Sequence, residues 1–145
     1  HGLAECIDAV LRTKGRSINI CAHVIIGLPG ETIDEILETA KLIAALRIDG
    51  VKIHSMYIVR ATKLEQMYKR GEYKPLTLEQ YVSMAADFLE LLPPDMVIQR
   101  LTGDCPGDIL VAPKWTLDKQ RVLMGITEEL KRRDSWQGSR CLIPR

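Results

Sequence analysis

Four cysteines are present, but Cys6, Cys21, Cys105 and Cys141 lie far apart and no C-x-x-C pair occurs. Such spacing offers no metal site in local sequence. Cys6 falls on the apolar side of an expected helix and Cys21 in an apolar run, so both read as buried thiols, reduced in a cytosolic chain. No apolar run reaches the roughly 18–20 residues needed to cross a bilayer, and no basic-then-apolar leader precedes a cleavage site. The expectation is a cytoplasmic protein without membrane contact. Charge of one sign is lacking too: 20 Lys and Arg against 19 Asp and Glu give a net charge of +1. The basic tilt from Lys119 onward is mild, whereas non-specific nucleic-acid binding draws on a dense cationic patch. An initiator Met is missing as well: the chain opens at His1, with an amphipathic segment from Leu3, and reads as a fragment.

What is there fits one globular domain with a real core: 145 residues, 46% hydrophobic and 27% charged. Leu3, Cys6, Ile7, Val10 and Leu11 recur at helical spacing and predict a helix over 3–14, broken at Gly15. Ile18 to Ile26 is almost continuously apolar and β-branched, as expected of a parallel strand buried on both faces. After Gly27-Leu28-Pro29-Gly30, Thr32 and Glu35 make a capping box. Ile33, Ile36, Leu37, Ala40 and Ile43 then form a helical stripe ending near Gly50. A second strand is expected at about 51–59, completing a βαβ unit with parallel strands. Further on, the pattern predicts a short helix at 62–70 and a helix opened by the Thr77/Gln80 capping box and stopped at Pro93-Pro94. A third strand at 96–101, a loop over 102–114 and a last helix from about Thr116 follow. The tail from Ser135 has no periodicity. Three parallel strands with flanking helices are an α/β arrangement whose sheet edges invite self-association.

The stretch His23 to Thr32 runs from strand through a glycine turn into a capped helix, and the C-terminal ends of parallel strands are where α/β folds bind ligands. Gly27 and Gly30 leave room for a flat or anionic ligand, and the helix start adds free N–H groups. The alternative is that the glycines simply make a tight turn. No Lys follows the turn, so a P-loop ranks last. His23 and His54 are strand histidines for which a packed, hydrogen-bonded role competes with a ligand role. Alternation places His54 on the face of Met56 and Ile58 and opposite Tyr57. Arg100 and Asp104, four apart at a strand end, suggest an ion pair or a substrate contact. Aromatics are scarce at 5%, so Trp115 and Trp136 stand out, as caps on the fold or, less favoured, as stacking platforms.

The segment IIGLPGET, residues 25–32, is similar to the fifth-strand motif of radical S-adenosylmethionine (SAM) barrels. The resemblance continues through VKIHSMYIVRAT, YKRGEYKPLTLEQYV, VIQRLTGDCPGDILVAPKW and RRDSWQGS. Together these resemble a bacterial group of Fe–S oxidoreductases related to the elongator catalytic subunit and to oxygen-independent coproporphyrinogen oxidase. The resemblance implies the C-terminal part of a partial (β/α)6 barrel, with residues 1–114 as its distal wall and 115–145 as a helical extension. It implies SAM and a [4Fe–4S] cluster in the full-length parent. The cluster would sit on an upstream C-x-x-x-C-x-x-C loop that this sequence lacks, so the chain alone is expected to bind no cluster and to be inactive. Carried over by position, Ile25 touches adenine, Gly27 admits the ligand, His23 lies near the ribose, and Tyr57 or Ile58 offers backbone to the adenine edge. His54, Arg100 and Asp104 are left for substrate. Neither a catalytic residue nor a metal ligand is assigned. The partners implied are the missing N-terminal half of the barrel and, by kinship, a tRNA substrate. The competing reading is a non-catalytic α/β binding module associated with RNA.

Overall fold

The computed structural model describes residues 2–143. Helix α1 (Leu3–Thr13) leads to strand β1 (Cys21–Ile26), and α2 (Ile33–Leu46) crosses to β2 (Gly50–Ser55). A two-residue strand β3 (Ile58–Val59) precedes α3 (Lys63–Lys69) and α4 (Leu78–Leu91). Then come β4 (Val97–Arg100), β5 (Leu110–Ala112), a 3-10 turn at Lys114–Leu117 and α5 (Lys119–Arg132). The main sheet is parallel, in the order β1-β2-β4. Among the described residues no helix is long and apolar enough to cross a membrane.

Both expected capping boxes form. Thr32 Oγ1 accepts from the Glu35 N–H while the Glu35 carboxylate accepts from the Thr32 N–H, and Thr77 and Gln80 repeat the exchange. Each box answers helix-end donors that would otherwise lack partners. Helix α2 then buries Ile36, Ala40, Ile43 and Ala44, and α4 buries Tyr81, Ala85, Phe88 and Leu89 among others. With Val122 and Ile126 of α5, these close over Ile26, Val51 and Ile53 of the sheet in one core. Each fully buried aliphatic or Phe side chain contributes about 1.5–3 kcal/mol, so this layer carries most of the fold's stability.

The helices cover one face only, which corrects the expectation that β1 is buried on both. Along β1, Cys21, His23 and Ile25 are exposed, Ala22 and Val24 are half-buried, and Ile26 is buried. Cys21 is therefore an exposed thiol, as is Cys6, because α1 buries none of its described side chains. The second strand also ends early. Met56 N–H still donates to Ile26 O at 2.9 Å, but Ile58 and Val59 leave the sheet and pair antiparallel with β5, inside the segment expected to be loop. Ile58 packs there with Tyr73 and Ala112 in a second small core that Met56 flanks.

The aperiodic tail is a clamp on the far end of α4. Gln137 Nε2 donates to Pro93 O at 2.7 Å and Met96 O at 2.9 Å, holding the turn that aims β4. Gly138 N–H and Arg140 N–H reach Leu89 O and Glu90 O, carbonyls of the last turn of α4. Arg133 bridges Glu129, Asp87 and Ser83 Oγ at 2.7, 2.8 and 2.9 Å, and Arg140 holds Glu90 at 3.0 Å.

Candidate functional site

Strand register decides what the uncovered face presents. His23 pairs with Lys52, Ile25 with His54, and Lys52 with Arg100 across a bulge in β4. Alternation then sends Ala22, Val24, Ile26, Val51, Ile53 and Ser55 toward the helices, and Cys21, His23, Ile25, Lys52 and His54 to the open side. There the two imidazoles meet, Nε2 to Nε2 at 3.0 Å, with ring centroids 4.4 Å apart and planes at 89°. At that distance one ring nitrogen donates and the other accepts. Burial, together with the neighbouring charges of His23, Arg100 and Lys52, holds the His54 imidazole below its ordinary pKa. Ile25 lies beside this pair with 42% of its surface exposed, an apolar side chain in a polar row. The alternation expected to put His54 with Met56 and Ile58 stops at Ser55, where β2 ends, so Ile58 is buried elsewhere.

At the strand end the glycine turn is held by the chain itself. Gly27 has φ +96°, and a Cβ there would come 2.9 Å from Leu76 Cδ1. Its carbonyl accepts from the Tyr73 hydroxyl at 2.7 Å, and the N–H groups of Gly27 and Leu28 both donate to Glu31 Oε2 at 3.3 Å. With Glu35 N–H taken by Thr32, the donors expected to be free for an anion are largely answered. A carboxylate three or four residues on reaches back to these amides, and only the tight turn brings it there. Trp115 secures the same corner: its Nε1 donates to Leu76 O at 3.0 Å and its ring stacks on Tyr81 at 5.3 Å. Trp115 is thus a cap, while Trp136 stays 62% exposed.

The Arg100–Asp104 ion pair does not form. The chain turns after β4, and Asp104 meets Lys119 at the start of α5 at 2.7 Å, which holds its carboxyl below the usual range. Arg100 is left on the open side next to Lys52. Tyr57 lies against Gly103, where a Cβ would come 2.8 Å from its ring, and burial raises its hydroxyl pKa. Ser55 Oγ is buried with no hydrogen-bond partner among the described residues. Of the expected site residues, His23, Ile25, His54 and Arg100 gather on one face, Gly27 and Tyr57 lie at its rim, Asp104 pairs with Lys119 while its charge still reaches Arg100 and His54, and Ile58 is turned away. Lys52 was missed; its position two residues before His54 on the same strand was the available signal. Among the described residues no group of three or more His, Cys, Asp or Glu side chains converges as a metal site, and the dispersed cysteines do not fit an iron–sulfur cluster.

A parallel sheet with helices on one face and a polar face opposite is the build of an α/β barrel wall, and the solved fold it matches is of that class. The solved structure of the archaeal Methanocaldococcus infernus Elp3 with an N-terminal deletion superposes with a TM-score of 0.80 at 22% identity, covering 94% of this chain and 32% of that one. The chain belongs to the radical SAM family: the description "Radical_SAM C-terminal domain" matches residues 48–132. An uncharacterized protein of Methanocaldococcus jannaschii is 44% identical over 97% of this chain and 44% of its own length. The uncharacterized protein YtqA of Bacillus subtilis is 37% identical over 95% of this chain and 43% of its own. More distantly, a Methanocaldococcus infernus protein named tRNA uridine(34) acetyltransferase is 26% identical over 77% of this chain and 21% of that protein. The chain therefore spans less than half the length of these relatives.

Proposed function

We propose that this chain supplies the adenine side of a SAM site and part of the substrate wall in a cytoplasmic radical SAM enzyme. Residues 1–114 form the distal barrel wall and 115–145 its C-terminal extension. The observation that carries the reading is the exposed Ile25 at the C-terminal end of β1, set in a polar face beside the Gly27 turn. An apolar side chain left open among histidines suits the flat face of a base. His23 lies on the ribose side, the backbone at Tyr57 answers the adenine edge, and the Gly27 turn keeps the strand end free of a side chain. When bound, SAM supplies the 5′-deoxyadenosyl radical on one-electron reduction. This chain holds no cluster-binding thiolates in one place, so electron delivery belongs to residues outside it and the chain alone is inactive. Relatives named for tRNA modification support tRNA as the substrate class.

The test compares anaerobic, reductant-dependent 5′-deoxyadenosine release by the natural full-length gene product and by these 145 residues. Release by the longer protein alone, reduced at least tenfold by Ile25→Asp, is the expected result. No release from either, with no iron in the longer protein, would leave a non-catalytic RNA-associated module as the reading.

A further inference from the structure

Two strand neighbours on the open face are cationic, and among the described residues neither makes a salt bridge. Lys52 and Arg100 are register partners on β2 and β4, which sets their backbones about 4.8 Å apart. His54 follows Lys52 on the same side of β2, one pleat further toward the strand end. Asp104, whose charge reaches Arg100 and His54, is ion-paired with a third cation, Lys119, so one carboxylate answers three cationic side chains. Cations that outnumber their carboxylates repel one another, and an anion between Lys52 and Arg100 relieves that repulsion.

The histidine pair has two chemical meanings. Two imidazole nitrogens 3.0 Å apart are spaced like neighbouring ligands of one metal ion or like a hydrogen-bonded pair. The surroundings decide: no third ligand converges among the described residues, and Lys52 and Arg100 oppose a cation. With His23 donating from Nε2, His54 accepts at Nε2 and carries its own proton on Nδ1. Neutral His54 is then still a donor. Its lowered pKa, caused first by burial and then by His23, agrees with that form.

We infer that Lys52, Arg100 and His54 form a binding site for a phosphate-class oxyanion on the substrate, with His23 as the positioning residue that fixes the His54 tautomer. Arg offers a planar fork of donors, Lys a mobile ammonium, and His54 a directed N–H, a set that suits tetrahedral oxygens. The inference rests on the reading that this face is the barrel interior. It adds the chemistry of the group bound there: a phosphate on a nucleotide, free or within RNA, rather than an uncharged or cationic moiety.

The experiment uses the natural full-length protein and inorganic phosphate as probe. Imidazole NMR signals are followed during a phosphate titration at constant ionic strength, with chloride as the control anion and His54→Gln for assignment. SAM binding is measured separately by calorimetry. The expected result is a saturable shift of the His54 signals with phosphate and none with chloride. Lys52→Met and Arg100→Met should each weaken phosphate at least tenfold, Lys52→Arg should restore it, and SAM affinity should change less than twofold. A protein that binds SAM but shows no saturable phosphate shift overturns the inference and leaves the proposed function intact. Joint loss of SAM and phosphate binding in Lys52→Met also overturns it, because the cations would then hold the cofactor. Zinc shifting both histidines while phosphate does nothing overturns it in favour of a metal site. Phosphate binding without any SAM binding supports the anion site and defeats the SAM reading.

Discussion

Alternate residues of the same strands build the two faces of the β1-β2-β4 sheet, yet the faces have opposite chemistry. On the helix side, Ile26, Val51 and Ile53 are fully buried against Phe88, Tyr81 and Val122. On the other, His23 and Ile25 are exposed and the imidazoles of His23 and His54 hydrogen-bond to each other. The difference teaches that stability and function are separable here at single-residue resolution. Substitutions on the covered face should unfold the protein, and those on the open face should change what it binds.

The largest expected effect is on the covered face. Phe88 is fully buried in α4, and Phe88→Ala should cost about 3–5 kcal/mol through lost burial and a residual cavity. Urea-induced unfolding measures it, and a loss under about 1 kcal/mol would erase the contrast between the faces. Next comes the tail clamp. Gly138 has φ +88°, and a Cβ there would meet Pro94 Cδ at 2.9 Å and its backbone N at 3.0 Å. Gly138→Ala should therefore cost about 1–3 kcal/mol, and more than the same change at Gly30, which has φ +80° but open space around it. Equal losses would mean that left-handed backbone alone, and not the clamp, sets the penalty.

A smaller effect is pH-dependent. Hydrogen bonds from Arg132 and then Arg133 hold Glu129 at about 2 against an ordinary 4.5. A folded pKa below the unfolded one means that this stabilisation is complete above about pH 5 and is lost as pH falls toward about 2. Arg132 is 71% exposed, so its share is screened by solvent. Arg133, 19% exposed and shared with Asp87, leaves a net contribution of about 1–2 kcal/mol. Glu129→Gln should lose that amount at pH 7 and flatten the acid limb of the stability curve. An unchanged slope between about pH 5 and 2 would assign the acid sensitivity elsewhere, with buried Glu90 the next carboxylate to test.

What was legible in the sequence was what local chemistry determines. Thr32 with Glu35 and Thr77 with Gln80 announced two helix starts, and β-branched runs located three strands. What escaped depends on partners distant in sequence. Ile58 looked like the continuation of β2 until Ala112 took it as an antiparallel partner. Gln137 in an aperiodic tail gave no sign that the carbonyls of Pro93 and Met96 would receive its amide. The site divides in the same way. His23 and His54 were individually conspicuous, but their contact depends on a register that places Ile25 opposite His54, and a slip of one residue would separate them. The apolar content of β1 suggested burial on both faces because hydrophobicity alone does not say whether a second layer exists.

Ile25 gives the smallest stability effect and the sharpest separation of the faces. Its side chain is 42% exposed and stands outside the main core, so Ile25→Ser should change unfolding free energy by no more than about 0.5 kcal/mol. Ile26, its neighbour, is fully buried, and Ile26→Ser should be severely destabilising by leaving a cavity and an unpaired hydroxyl. If Ile25 lies against adenine, Ile25→Ser in the full-length protein should weaken SAM about tenfold, the loss of roughly 1.4 kcal/mol of apolar contact, with the folded fraction unchanged. Unchanged SAM affinity with unchanged stability would leave the open face without its adenine contact and shift the cofactor toward the Tyr57 rim. A large loss of stability would instead mean that the exposed row of β1 is covered by other parts of the full-length protein.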